Sequence, residues 1–377
     1  MSQAAITPVV MPKWGLEMRE GTISGWLVDE GTRIEVGQPI VDVETDKISN
    51  AVEAPDPGLL RRKVAREGET LPVKALLAVL AEPQVSDADI DAFIAGYVVP
   101  AAETGEADDD GGFDTATVQG IRVRYARRGA DGGVPVLFLH GFGGDLGNWL
   151  FNLDAVAATH PVIALDLPGH GQSDPRLPGA TPEALAGFVA GFLDQLGVPQ
   201  AHLVGHSMGG AIAAQLALQA PGRVASVTLV NSAGLGDEIN GGYIRGFVAA
   251  ESRRDLKPVV EQLFADPALV TRQLLDDLLK YKRLDGVAQV LADLEAGHFG
   301  NGRQAHSPGR QLPAARLPVL VVWGAEDRII PAAHAGNAPA GAQVEVMPGA
   351  GHMVMMEKAG DFNRLLARHL QGHLAEQ

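Results

Sequence analysis

The chain has no cysteine in 377 residues, which excludes disulfides, thiolate metal sites and a cysteine nucleophile. No metal site is expected. No apolar run approaches the roughly 18 residues of a membrane-spanning helix, so no membrane association is expected. The opening residues Met1-Ser2-Gln3-Ala4-Ala5 lack a basic stretch followed by an apolar one. No secretory signal is therefore expected, and a cytoplasmic location is. Cations are outnumbered: 30 Lys and Arg against 46 Asp and Glu give a formal net charge of −16, which argues against a nucleic-acid partner.

What is present is length for two or three domains and 46% apolar residues, ordinary for a protein that buries a core. The charge is uneven. From Ala81 to Asp114 there are ten acids and no Lys or Arg, so ten of the sixteen net charges sit in one short segment. Together with Pro83, Pro100, Gly105, Gly111 and Gly112, that segment reads as an extended, self-repelling linker. Within it Ser86-Asp87-Ala88-Asp89 has the form of a capping box, and Ile90, Phe93, Ile94 and Tyr97 follow as one helical stripe. So short a helix needs a surface to pack on.

Residues 4–80 carry short Val-, Ile- and Leu-rich runs between Gly, Pro and acidic turns, the pattern of a small β domain. An internal repeat recurs at an offset of 37: Glu30-Gly31 as Glu67-Gly68, Val36 as Val73, and Ile40-Val41-Asp42-Val43 as Leu77-Ala78-Val79-Leu80. Two similar halves predict two interlocked sheets about a pseudo-twofold axis. Lys47, in Glu44-Thr45-Asp46-Lys47-Ile48, falls at the expected hairpin tip where one half gives way to the other. An isolated Asp-Lys pair would be an ordinary solvated turn; the repeat around it singles this one out. Through Met11-Pro12, Gly21, Gly31, Gly37 and Glu44-Thr45-Asp46-Lys47, residues 6–80 resemble the lipoyl domain of 2-oxo acid and acetoin dehydrogenase complexes. The resemblance implies lipoic acid in amide linkage on Lys47, attached by a lipoate-attaching enzyme. Biotin carriers share that fold, but their lysine is flanked by methionines rather than Asp46 and Ile48.

Residues 114–377 alternate strand-like and helix-like runs, predicting a mostly parallel sheet covered on both faces. Strands are expected at Val134–Leu139, Val162–Asp166, His202–Val204, Val224–Val230, Pro318–Trp323 and Val344–Met347, with helices at Pro182–Leu196 and Met208–Gln219. A hairpin about Gly120 adds antiparallel strands. The mainly helical stretch between Ala233 and Pro313 is expected to form a cap. The domain plan is therefore 1–80, an acidic linker 81–113 with a short helix, and 114–377 with a cap at about 233–313.

Strand, turn and helix meet at Gly205-His206-Ser207-Met208-Gly209, the context in which a Gly-x-Ser-x-Gly serine is a nucleophile. A serine needs a base. His352, in Pro348-Gly349-Ala350-Gly351-His352 after the last strand, is the candidate. His206 is expected to point away across the turn, and His140 to shape its loop. The carboxylate that orients the base is expected from Asp327, with Glu326 as the alternative; the corresponding place after the preceding strand holds Asn231-Ser232, not an acid. Backbone amides of Met208 and of Phe142, in His140-Gly141-Phe142-Gly143-Gly144, are expected to form the oxyanion hole. Asp166-Leu167-Pro168-Gly169-His170-Gly171-Gln172-Ser173 reads as a structural loop. The whole region is similar to the α/β-hydrolase superfamily, whose motifs specify acyl transfer through serine but not the acceptor.

A lipoyl domain joined to an α/β-hydrolase domain resembles the dihydrolipoamide acetyltransferase subunits of acetoin dehydrogenase complexes. That resemblance implies thiamine-diphosphate-dependent acetoin-cleaving subunits and a dihydrolipoamide dehydrogenase as partners, and coenzyme A as acetyl acceptor. Other lipoyl acyltransferases use a His-x-x-x-Asp-Gly motif in a different fold; the nearest stretch here, His170-Gly171-Gln172-Ser173-Asp174-Pro175, lacks the glycine. In related complexes a basic subunit-binding domain often follows the lipoyl domain, and the short acidic segment here does not match it. Two other readings stay open: a serine hydrolase with an attached carrier, and a non-catalytic carrier or scaffold.

Overall fold

The computed structural model describes residues 6–14, 18–45, 49–100, 112–129, 132–314 and 316–371. The chain divides into two compact units, Met1–Asp109 and Asp110–Gln377.

The first unit is two four-stranded antiparallel sheets. Its strands are β1 (Ile6–Val10), β2 (Glu20–Trp26), β3 (Arg33–Ile34), β4 (Pro39–Glu44), β5 (Ser49–Glu53), β6 (Gly58–Lys63), β7 (Thr70–Pro72) and β8 (Leu76–Ala81), in the orders β1-β8-β6-β3 and β5-β4-β2-β7. The sequence repeat is physical. Gly31 N donates to Leu60 O at 2.7 Å and Gly68 N to Ile23 O at 2.8 Å, while Leu60 N and Ile23 N return bonds to Thr32 O and Glu69 O. Each bond maps onto the other through the offset of 37, as a twofold relation requires. Gly31 and Gly68 take φ of +87° and +78°, where a side chain would be strained. Between the sheets lie Met11, Ile23, Ile34, Ile40, Val41, Val43, Leu60 and Leu77, all buried. A side chain at Gly21 of β2 would collide with Val43 on the neighbouring strand β4 and crowd the Met11 and Met18 side chains, so that position has room only for glycine.

The acidic stretch carries the expected capped helix, and its apolar stripe packs on the β unit. Ser86 caps α1 (Asp87–Gly96), exchanging bonds with the Asp89 amide and carboxylate. Ile90 is fully buried against Leu76, Val79 and Val85, and Tyr97 Oη donates to Lys74 O at 2.9 Å. Arg33, Arg61 and Arg62 on β3 and β6 pair with Glu82, Asp87 and Asp91. Cations remote in sequence offset the repulsion that the local reading emphasised. Residues 82–97 thus belong to the β unit. Residues 101–111 lie outside the described residues.

The second unit carries one eight-stranded sheet: β9 (Phe113–Val118), β10 (Ile121–Arg128), β11 (Val136–Leu139), β12 (Val162–Leu165), β13 (Ala201–His206), β14 (Val224–Val230), β15 (Val319–Gly324) and β16 (Gln343–Met347). Their order is β16-β15-β14-β13-β11-β12-β10-β9. β11 to β16 are parallel, and β9 and β10 form the antiparallel hairpin at one edge. β11, β12, β13 and β15 are buried throughout, because helices cover both faces. These include α2 (Leu153–Ala157), α3 (Pro182–Gln195) and α4 (Met208–Gln219). Between β14 and β15 come α5 (Gly241–Ala249), α6 (Arg253–Val260), α7 (Arg272–Lys282) and α8 (Val287–Phe299), and after β16 come α9 (Val354–Glu357) and α10 (Ala359–Gln371). Among the described residues no helix is long and apolar enough to cross a membrane.

Candidate active site

β13 runs straight into α4, and Ser207 is the single residue between them, at φ +52° and ψ −119°. That conformation is costly for a residue with a side chain and marks a strained turn. The fold has no alternative to glycine around it. A Cβ on Gly205 would strike the Gly209 carbonyl, and one on Gly209 would strike the carbonyls of Leu139 and His140. The elbow is fixed further by Ser207 N, which donates to Val230 O at 3.0 Å.

His352 and Asp327 meet as expected. The ring Nδ1 lies 2.8 Å from Asp327 Oδ2, with both side chains almost wholly buried. Asp327 Oδ1 accepts the amides of Ile329 (2.7 Å) and Ile330 (3.0 Å), and Oδ2 also accepts Asn231 Nδ2 at 2.7 Å. Four donors on one buried carboxylate offset its loss of water. Glu326 is turned elsewhere, accepting the Ala350 amide at 3.1 Å.

The loop carrying His352 is tied on several sides. Its backbone N donates to Leu263 O at 2.8 Å, and Gly351 N donates to Glu357 Oε2 at 2.7 Å. The other oxygen of Glu357 accepts Ala265 N at 2.6 Å, so one carboxylate joins the helical insertion to the base loop. Burial raises the Glu357 pKa, with the two amides opposing. His206 corrects an expectation: its ring does not point away but faces this loop, Nε2 donating to His352 O at 2.9 Å with ring centroids 4.7 Å apart. Burial, then the neighbouring His352, drives its pKa well below the usual value, so it stays neutral.

The Phe142 and Met208 amides donate to no acceptor among the described residues. Met208 opens α4, so its N–H is one of the helix's unpaired first-turn donors and carries the positive end of the dipole. The Phe142 ring packs edge-on against Phe247 of α5 (5.8 Å) and Phe299 of α8 (6.0 Å), which sets apolar surface beside the glycine loop. Below that loop, His140 Nδ1 donates to Gly141 O at 2.8 Å while Nε2 accepts Leu167 N at 3.0 Å. His170 Nε2 accepts Gly143 N at 3.2 Å, and burial lowers its pKa to about 3. Asp166 is structural: buried, it accepts from Arg124 Nε (2.7 Å), Leu146 N and Gln172 N.

Lys47, the expected attachment residue, lies outside the described residues. Its flanks are described: β4 and β5 pair up to Glu44 opposite Ser49, leaving Thr45, Asp46, Lys47 and Ile48 as the hairpin connection. Among the described residues no cluster of three or more His, Asp or Glu is placed to hold a metal.

Residues 134–359 match the family model of the alpha/beta hydrolase fold, and residues 7–80 the biotin/lipoyl family model described as biotin-requiring enzyme. The chain is 63% identical over 367 residues to a dihydrolipoyllysine-residue acetyltransferase component of an acetoin cleaving system from Cupriavidus necator, covering 97% of this chain and 98% of that one. A protein of the same description from Pseudomonas putida is 50% identical over 375 residues, covering 99% of this chain and all of the other. Among solved structures, a meta-cleavage product hydrolase from Pseudomonas fluorescens IP01, complexed with acetates, covers 69% of this chain and 97% of its own at a TM-score of 0.62 and 24% identity.

Proposed function

Because this chain belongs to the dihydrolipoyllysine-residue acetyltransferase components of acetoin-cleaving systems, we propose that its transfer step runs through Ser207, His352 and Asp327. The reaction moves an acetyl group from the carrier to coenzyme A. A reduced lipoyl group held on Lys47 would supply the thiol chemistry that carries the acetyl group. Ser207 Oγ attacks the acetyl carbonyl as its proton passes to His352, and Asp327 stabilises the imidazolium through Nδ1. The amides of Phe142 and Met208 receive the developing oxyanion. His352 then protonates the departing thiolate, and in the second half takes the proton of the coenzyme A thiol and returns it to Ser207 Oγ as the sulfur collects acetyl. Free Ser207 is regenerated.

The observation that carries this reading is the 2.8 Å contact between His352 and Asp327 beside an elbow serine at positive φ. Family membership, rather than the triad, supports transfer over hydrolysis, since the triad serves either acceptor. The carrier unit on this reading extends through Tyr97. Its partners are the thiamine-diphosphate-dependent acetoin-cleaving subunits and a dihydrolipoamide dehydrogenase, all in the cytoplasm.

The test supplies acetylated carrier with and without coenzyme A. Acetyl-CoA should form, and its rate should fall at least about 1000-fold in Ser207→Ala. Equal acetate release with and without coenzyme A would make the protein a hydrolase, and unchanged turnover in Ser207→Ala would make the second unit a scaffold.

A further inference from the structure

Asn231 follows β14 directly with φ of +43°, a left-handed backbone that asparagine tolerates better than most side chains but still at a cost. Its side chain is fully buried. Nδ2 donates to two acceptors, Asp327 Oδ2 at 2.7 Å and Gly351 O at 3.2 Å. The first is the same oxygen that receives His352 Nδ1. The second belongs to the residue just before His352. Because both neighbours only accept, the opposite amide orientation would set oxygen against oxygen, and chemistry fixes the assignment. The remaining oxygen, Oδ1, is buried with no partner among the described residues. Left-handed backbone and an unsatisfied buried oxygen both count against stability. What the residue touches supplies a reason for keeping it.

We propose that Asn231 is a positioning residue for acyl transfer, locking the Asp327 carboxylate in the orientation that faces His352 and joining the acid loop to the base loop. The proposal rests on the reading of Ser207, His352 and Asp327 as the triad. The donors on Asp327 Oδ1, the Ile329 and Ile330 amides, come from the acid's own loop and move with it. Asn231 comes from β14, whose last residue, Val230, receives the Ser207 amide. One strand end therefore registers the nucleophile and the acid together, and through Gly351 the base. The amide also shares the negative charge of Oδ2, so the proton leaving Ser207 rests on His352 rather than on Asp327. The other titratable groups facing the pair are His206 from β13, held neutral, Glu357 from α9, occupied by two amides, and Glu326, turned to Ala350. Besides His352, no other side chain among the described residues donates to Oδ2.

The test uses the full lipoylated chain and two readouts across pH: labelling of the active serine by a fluorophosphonate, and acetyl transfer to coenzyme A. Asn231→Gly keeps the left-handed backbone and removes the amide; labelling and kcat should fall roughly tenfold or more, with KM little changed. Asn231→Asp keeps the shape but sets a second carboxylate against Asp327. That raises the basicity of the acid–base pair, so the acidic limb of both profiles should move up by about one pH unit. Rates within twofold of the unsubstituted chain in both variants would overturn the proposal. So would slower rates with an unmoved limb in Asn231→Asp, which would leave Asn231 a merely structural residue. Ser207→Ala, run alongside, tests the triad separately: retained labelling and transfer there would remove the underlying reading whatever Asn231 does.

Discussion

Burial lowers the pKa of five histidines of the second unit, His140, His160, His170, His206 and His298. For His170 and His298 the value falls to about 3. The folded imidazole stays neutral where the unfolded one takes a proton, so the native state loses stability as pH falls from about 6.5 toward 3. At pH 5 each of these two should cost about 2 kcal/mol relative to pH 7. Denaturant midpoints at the two pH values check this; equal midpoints would contradict it. The positions of Ser207, Asp327 and His352 were legible because each follows the end of a strand in a recognisable local motif. Asn231 was not. It registered only as a missing acid, since its role depends on Asp327 and Gly351, distant in sequence. Glu357 was hidden likewise, because only the fold brings Ala265 and Gly351 to it.

Elements were legible where periodicity and punctuation agreed. The offset of 37 reported the paired sheets because each half repeats the same turn and the same bonds. In the second unit every expected strand formed, with boundaries moved by a few residues: β11 begins at Val136 rather than Val134, and β13 continues to His206. The elbow shows how tightly such elements are joined. Gly209→Ala would push a methyl into the Leu139 and His140 carbonyls, so serine labelling by a fluorophosphonate should slow by about 100-fold or more. A near-normal rate would mean that the elbow has slack the packing does not show. In the stretch after β8 the capped helix was legible, but the surface it packs on was not, because its partners Arg33, Arg61 and Arg62 lie on strands earlier in the chain. These exposed pairs contribute little each. Ile90 matters more: Ile90→Ala should destabilise the helix's docking by about 2–5 kcal/mol, read as faster amide exchange in α1. Unchanged exchange would show that the helix stands without its apolar anchor.

The two units divide the work of one reaction. On the proposed mechanism the β unit carries the acetyl group on Lys47, and the hydrolase-fold unit supplies Ser207 with His352 as base and Asp327 as acid. The second part of that division follows from what its fold does well: a parallel sheet gathers side chains at its carboxyl ends. The most direct measurement of the account is the fate of acetyl on the protein itself. Acetylated carrier is mixed with the chain without coenzyme A, quenched rapidly and mapped by mass spectrometry. One acetyl group should appear on the peptide containing Ser207, vanish when coenzyme A is added, and be absent in Ser207→Ala. Acetyl-CoA formed at an undiminished rate by Ser207→Ala, with no acetyl ever on that peptide, would contradict it.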